Sequence, residues 1–155
     1  MHPSPDPVNA LLSLGYTLVT NELASLAEAI GFDPFIGFLH GFRYGRQSLP
    51  LDLVEEFRQP IVDMLTLNLL NKRVLSPDDF IIQKNKAMYL TKEGLKKYLA
   101  AYEKRMTKSF VDKTEDIGTG DGDKDINFRD CLKRQVSRLQ KTLLYKKEYV
   151  PFLVQ

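Results

Sequence analysis

The chain has 155 residues, 43% hydrophobic and 27% charged, the proportions of one globular domain with a sizeable core. A single cysteine, Cys131, excludes an intramolecular disulfide framework and a cysteine-rich zinc site. The longest uncharged stretch near the start, Pro7 to Asn21, is too short to span a bilayer, and the first residues lack a secretion signal, so an intracellular, cytoplasmic domain with no membrane attachment is expected.

The net charge of +2 hides a division. Asp112, Glu115, Asp116, Asp121, Asp123 and Asp125 outweigh Lys113 and Lys124, so residues 112–125 carry −4 and the remainder +6. Most of that excess lies between Ile126 and Lys147, where Arg129, Lys133, Arg134, Arg138, Lys141, Lys146 and Lys147 face only Asp130. Such a segment is compatible with a polyanionic partner, although solvated helix faces are often basic.

Asp6 before Pro7 is a good helix start. From there Val8, Leu12, Tyr16, Val19, Leu23, Leu26 and Ile30 fall on one stripe that ends at Gly31, and Leu11, Leu14 and Leu18 widen it. Gly31 to Ser48 mixes four glycines with Phe32, Phe35, Phe38, Phe42 and Tyr44, and reads as a long functional loop with a short helix at Pro34 to Leu39. A second helix is expected from Leu49 to Lys72, kinked at Pro60, with Leu51, Val54, Phe57 or Arg58, Ile61, Leu65 and Leu69 buried.

After a turn at Ser76 to Asp79, Phe80-Ile81-Ile82 and Ala87-Met88-Tyr89-Leu90 form a small β-hairpin. Thr91 caps a helix to about Met106 that turns Leu95, Tyr98, Leu99 and Tyr102 inward. Residues 112–125, rich in glycine and acids, are expected to be a mobile surface loop. Residues 126–147 form a basic amphipathic segment whose helix, Asn127 to Lys146, buries Phe128, Leu132, Val136, Leu139 and Leu143, with Cys131 a small core residue. The fold class is mainly α: a helical, bundle-like domain with one small β-hairpin.

The chain has no phosphate-binding glycine loop, paired CxxC, HExxH or nucleophile elbow. Its one distinctive polar constellation is His40 with Asp52 and Glu55, the two acids three apart on one helix edge, with Glu56 replacing Glu55 if the helix is rotated. An imidazole and two carboxylates suit Mg²⁺ or Mn²⁺ at a phosphoryl-transfer site. Acids at a helix start also serve simply to complement the helix dipole. The hairpin followed by Tyr89-Leu90-Thr91 opens a second reading, a non-catalytic DNA- or protein-binding module of winged-helix type, although the long apolar helix before it suits a recognition helix poorly.

Four blocks stand out in order along the chain: Pro5-Asp6-Pro7-Val8-Asn9-Ala10-Leu11-Leu12-Ser13-Leu14-Gly15-Tyr16, then Gly31-Phe32-Asp33-Pro34-Phe35-Ile36-Gly37-Phe38-Leu39-His40. Ser48-Leu49-Pro50-Leu51-Asp52-Leu53-Val54-Glu55-Glu56-Phe57-Arg58 is the third, and Tyr89-Leu90-Thr91-Lys92-Glu93-Gly94 the fourth. Together they resemble the C-terminal helical domain of the CRISPR-associated spacer-acquisition integrases, the Cas-one family. The resemblance implies that His40 and Glu55 are metal ligands, that Asp52 supports or joins them, and that the cofactor is Mg²⁺ or Mn²⁺. It implies a homodimer that joins a small "Cas-two" partner and inserts short DNA segments into a CRISPR array, and that cuts branched DNA as a metal-dependent nuclease. Arg43, Arg46, Arg58 and Arg73 become candidate phosphate contacts. Family members also carry an N-terminal β-rich domain and an upstream metal-binding glutamate, neither of which this chain holds; neither Glu22 nor Glu28 sits in the motif to replace it. The expectation is therefore a part of the integrase that is weak or inactive by itself.

Overall fold

The computed structural model describes residues 6–37, 47–84, 86–111, 125–146 and 148–152. Helix α1 (Pro7–Ala29) is followed by α2 (Ser48–Val54), a π-helical turn (Arg58–Asp63), α3 (Met64–Asn71), a 3₁₀ turn (Pro77–Asp79), β1 (Phe80–Ile82) and β2 (Met88–Leu90). Helix α4 (Lys92–Thr107), strands β3 (Phe110–Val111) and β4 (Asp125–Ile126), and α5 (Phe128–Tyr145) complete the described elements. The mainly α class with a hairpin matches the sequence reading.

Helix α1 starts where expected: the Asp6 carboxylate accepts a bond from the Asn9 amide (2.9 Å) and Pro7 opens the first turn. Its buried face differs from the expected stripe. Leu11, Gly15, Val19, Leu23 and Ala27 face the core, while Val8 is exposed. The reason lies at Gly15. A Cβ there would stand 2.5 Å from Tyr98 Oη and 2.6 Å from Val62 Cγ1, so only glycine lets α4 and the π-turn approach α1 this closely. The Tyr98 hydroxyl, deep between them, donates to the Leu11 carbonyl (3.1 Å).

The expected helix from Leu49 to Lys72 is three pieces rather than one kinked rod. Glu56 N–H bonds Leu53 O (3.3 Å) and Phe57 N–H bonds Val54 O (2.9 Å), closing α2 with tight turns. Pro60 has no amide hydrogen and its ring crowds the carbonyl one turn back, so the chain restarts as a wider π-turn in which the Met64 amide reaches Gln59 O. The Pro60 carbonyl accepts from Arg105 Nε (3.0 Å) and Nη2, and the Arg105 guanidinium lies 5.2 Å from the Phe128 ring centroid. Phe57 rather than Arg58 takes the buried position, with Leu53, Ile61, Val62, Leu65 and Leu69.

The hairpin pairs Phe80 with Leu90, Ile81 with Tyr89 and Ile82 with Met88. Ser76 and Asp79 form a reciprocal capping box, and Lys97 of α4 sits 2.9 Å from the buried Asp79 carboxylate. Thr91 caps α4 as expected, accepting from the Gly94 amide (3.1 Å). The inward face of α4 is Gly94, Tyr98, Tyr102 and Met106; the predicted Leu95 and Leu99 are exposed, because the close approach at Gly94 rotates the helix.

Strands β3 and β4 have no counterpart in the sequence pattern. Phe110 pairs with Ile126 and Val111 with Asp125, and the Phe110 and Phe128 rings meet at 4.9 Å. Asp125 therefore belongs to a strand, while residues 112–124 of the expected acidic loop lie outside the described residues. Helix α5 buries Cys131, Leu132, Gln135, Val136 and Leu139, but Leu143 is 61% exposed, since the helix runs past its neighbours after Leu139. Arg129 ties α5 to α1 and α4 through Glu22 (3.1 Å) and Glu103 (2.7 Å), and Tyr102 adds a bond to Glu22 (2.9 Å). No described helix is long and apolar enough to cross a membrane.

Gly15→Ala is expected to destabilise the fold by about 1–3 kcal/mol through overpacking against Val62 and Tyr98, read as a lowered denaturant midpoint at unchanged slope. Donation from the Ser76 amide, then the Lys97 ammonium, hold the Asp79 carboxyl below the usual carboxylate range. The unfolded chain lacks both partners, so this stabilisation is present in full above about pH 4 and is lost as pH falls through the lower folded-state value. Asp79→Asn is thus expected to melt below wild type at neutral pH, with the gap closing in melts taken below about pH 4.

Candidate metal centre

The acidic candidates sit at the end of α2, where the helix stops before Pro60. Asp52 is buried, at 3% exposure, while Glu55 is on the surface with its side chain 47% exposed. Glu55 does not stand alone. Arg58 Nη1 lies 3.0 Å from both of its carboxylate oxygens, and the Arg58 guanidinium lies 4.8 Å from the centroid of the Tyr16 ring. The Tyr16 hydroxyl donates to Asp63 Oδ1 (2.7 Å). Burial, then the bond to Asp63, raise the Tyr16 pKa, while the Tyr16 and Glu55 contacts raise that of Arg58. A chain of contacts thus runs from α1 through the π-turn to Glu55.

The alternative ligand Glu56 points elsewhere. Its carboxylate accepts from Gln135 Nε2 (2.8 Å), the Phe152 amide (2.5 Å) and the Tyr149 hydroxyl. It is committed to α5 and the C-terminal tail, so Asp52 and Glu55 remain as the acidic pair.

The glycine-aromatic segment is described up to Gly37, and turns, without the predicted short helix, occupy the described part. Phe32 N–H bonds Ala27 O (3.0 Å), Phe35 N–H bonds Asp33 Oδ1 (2.9 Å), and Leu49 N–H bonds Pro34 O (3.0 Å), which fastens the segment across the start of α2. The i→i+2 carboxylate turn and Pro34 replace helical bonds here, the physical reason no helix forms. Gly37 then lies on α2 so closely that a Cβ would be 2.7 Å from Asp52 Oδ2 and 2.6 Å from Ser48 Cβ. Ser48 Oγ, one helical turn before Asp52 and fully buried, has no hydrogen-bond partner among the described residues.

His40, Arg43 and Arg46 lie outside the described residues. Arg58 is engaged by Glu55 and Tyr16, and Arg73 is exposed in a left-handed conformation just past α3. Glu22 is bound by Arg129 and Tyr102. Among the described residues no three His, Cys, Asp or Glu side chains come together to hold a metal ion. The donor chemistry nevertheless fits a hard divalent cation: two carboxylates on successive turns, one buried, beside a buried hydroxyl that has no partner among the described residues. Asp52 and Glu55, with further ligands, would hold it.

Several contributors leave little mark in the sequence. Tyr16 has the spacing of a hydrophobic stripe, and its hydroxyl and the Asp63 carboxylate give no spacing signal because they lie 47 residues apart. Ser48 and Gly37 stand inside recognisable blocks, yet nothing in those blocks marks them as packing partners. The tail run Tyr149-Val150-Pro151-Phe152, apolar and aromatic after a basic helix, is the one signal that more than a loose end lies beyond α5.

Residues 1–104 match the family profile "CRISPR associated protein Cas1". A protein of Rhodospirillum rubrum bearing the name CRISPR-associated endonuclease Cas1 2 is 48% identical over 103 residues, 66% of this chain and 30% of that protein. A CRISPR-associated endonuclease Cas1 3 of Thermus thermophilus is 40% identical over 154 residues, 99% of this chain and 44% of that protein. The chain thus spans less than half the length of these curated relatives. Among solved structures, a casposase bound to integration product superposes with a TM-score of 0.83 at 26% identity, covering 96% of this chain and 41% of that one. A CAS1 protein from Thermotoga maritima gives 0.74 at 28% identity, covering 90% of this chain and 41% of its own. The likeness spans β1, β2, α4 and α5 in one fold, which leaves no support for an independent winged-helix module. With a family match over two thirds of its length and relatives that share the sequence on both sides of the α2 turn, the chain belongs to the Cas1 family.

Proposed function

We propose that residues 1–155 form the C-terminal helical catalytic domain of a metal-dependent DNA integrase and endonuclease that inserts new spacers into a CRISPR array. The observation that carries this reading is the seating of Gly37 on Ser48 and Asp52, which brings the chain three residues before His40 against the buried carboxylate. It supports His40, Asp52 and Glu55 as one site. The endonuclease name of the relatives and the integration product in the casposase structure support the same chemistry.

In that reaction the 3′ oxygen of the incoming strand attacks a repeat phosphodiester. A new P–O bond forms, the P–O3′ bond of the repeat breaks, the attacking hydroxyl loses its proton and the departing 3′ oxygen gains one. A bound Mg²⁺ or Mn²⁺ supplies charge neutralisation at the phosphate. His40 and Glu55 serve as ligands, with Asp52 joining or supporting them from its buried position. Glu55 must give up Arg58 to do so. The guanidinium, retained on the Tyr16 ring, is then free to meet a DNA phosphate, with Arg43, Arg46 and Arg73 as further phosphate contacts. The partners are DNA, a second copy of the protein and a small Cas2 protein, in the cytoplasm; a further glutamate, from an upstream segment or from another chain, completes the ligand set.

In the intact protein His40→Ala and Glu55→Gln are expected to reduce Mn²⁺-dependent strand transfer by roughly two orders of magnitude or more, and undiminished transfer in either variant would refute the assignment. The 155-residue chain alone is expected to cleave branched DNA weakly or not at all with Mn²⁺. Robust cleavage that disappears in His40→Ala would show the ligand set complete without an upstream glutamate. Gly37→Ala, which presses a methyl onto Asp52 and Ser48, is expected to weaken Mn²⁺ binding by about tenfold in a direct titration.

A further inference from the structure

The turn that carries Glu55 is held from behind by the end of the chain. Glu56, the next residue, gives both carboxylate oxygens to the tail and α5: Oε1 accepts from the Tyr149 hydroxyl, and Oε2 from the Phe152 amide (2.5 Å) and Gln135 Nε2 (2.8 Å). Gln135, fully buried, also donates to the Val150 carbonyl and contacts the Tyr149 hydroxyl, both at 3.1 Å, and its own amide oxygen accepts from Arg138 (3.0 Å). The adjoining residue, Phe57, is fully buried and stacks on Phe152 with centroids 5.0 Å apart and planes 20° from parallel. Residues 56 and 57 are thus clamped by hydrogen bonds and by ring stacking, while Glu55, between them and Asp52, projects to the surface.

Backbone hydrogen bonding alone leaves this turn weakly determined. It lies between the last residue of α2 and a π-turn, and its amides make only the short-range bonds to Leu53 and Val54. A ligand on such a turn needs its direction fixed by neighbours, as the groups that orient metal ligands do elsewhere. We propose that Glu56 is a positioning residue for Glu55 and that the tail segment Tyr149–Phe152 is the clamp that fixes the metal-binding turn through Glu56 and Phe57. This rests on Glu55 being a metal ligand. The clamp residues 149–152 lie outside the 1–104 match to the family profile, so the site's geometry depends on a part of the chain remote from its defining motifs.

The test is a titration of the intact protein with Mn²⁺, followed by the EPR signal of free ion, for wild type, Tyr149→Phe, Phe152→Ala, Phe152→Leu and Glu55→Gln. Hydrogen exchange of amides 54–58 and thermal melting are measured on the same samples. Saturable binding by wild type, its loss in Glu55→Gln, and an affinity lowered about tenfold in Tyr149→Phe and Phe152→Ala are expected, with faster exchange at the turn and substantial rescue in Phe152→Leu. Tyr149→Phe should melt close to wild type, which separates positioning from general destabilisation; if Phe152→Ala fails to fold, this variant decides the matter. Unchanged affinity in the tail variants, or a loss no greater than their unfolded fraction, while Glu55→Gln still abolishes binding, overturns the clamp and leaves the metal reading standing. Equal binding by wild type and Glu55→Gln, or none by either, overturns the metal reading and the clamp with it.

Discussion

A proline at position 60 has no amide hydrogen to offer the carbonyl of Glu56, and its ring pushes that carbonyl out of helical line. The neighbouring backbone is arranged around that local fault. Helix α2 closes early with tight bonds, the backbone resumes as a π-turn, and α3 follows it. The carbonyl of Pro60 itself is taken up by Arg105 from α4, whose guanidinium is packed on Phe128 at the start of α5. The break at Pro60 is thus backed by α4 and, through Phe128, by α5. Single-turn π segments of this kind recur at functional sites because they redirect side chains that an unbroken helix would keep in register. Here Asp52, Glu55 and Glu56, close neighbours in sequence, face the core, the solvent and the tail respectively.

The packing of α1 sets the other half of the site. Because Gly15 admits Val62 and Tyr98 so closely, the next residue, Tyr16, is brought within bonding distance of Asp63 and its ring beneath Arg58. An exposed Arg–Glu pair is ordinarily worth little, since water screens it and two long side chains must be ordered. Tyr16 adds to that pair, its ring lying 4.8 Å from the Arg58 guanidinium and offering it a second contact. The exposed carboxylate that would draw a cation is in this way paired with a group that is itself suited to phosphate.

Much of the fold can be read from the chain because local chemistry and periodicity agree: Asp6-Pro7 at α1, Thr91 at α4, the hairpin of β1 and β2, and the basic α5. Errors fall where tertiary contact outranks pattern. Val8, Leu95, Leu99 and Leu143 have the spacing of core residues, yet close approaches at Gly15 and Gly94, and the overhang of α5, leave them outside. No alternation of hydrophobicity announces a strand as short as Phe110–Val111. The acidic pair is legible from its spacing and from the family blocks around it. Its surroundings are not, since Tyr16, Asp63, Tyr149 and Phe152 meet the α2 turn from sequence distances that no motif spans.

The two-residue strands β3 and β4 bring Val111 and Asp125 side by side. Whatever length of chain runs between them starts and finishes at one point, sealed beneath by the Phe110–Phe128 contact. The entropy of closing such an excursion grows only with the logarithm of its length, so doubling it costs about 0.6 kcal/mol. Closure at this junction therefore sets little limit on how many residues run between the two strands, and it places that variable stretch at a fixed point beside the Phe110–Phe128 contact rather than at the turn that carries the carboxylates.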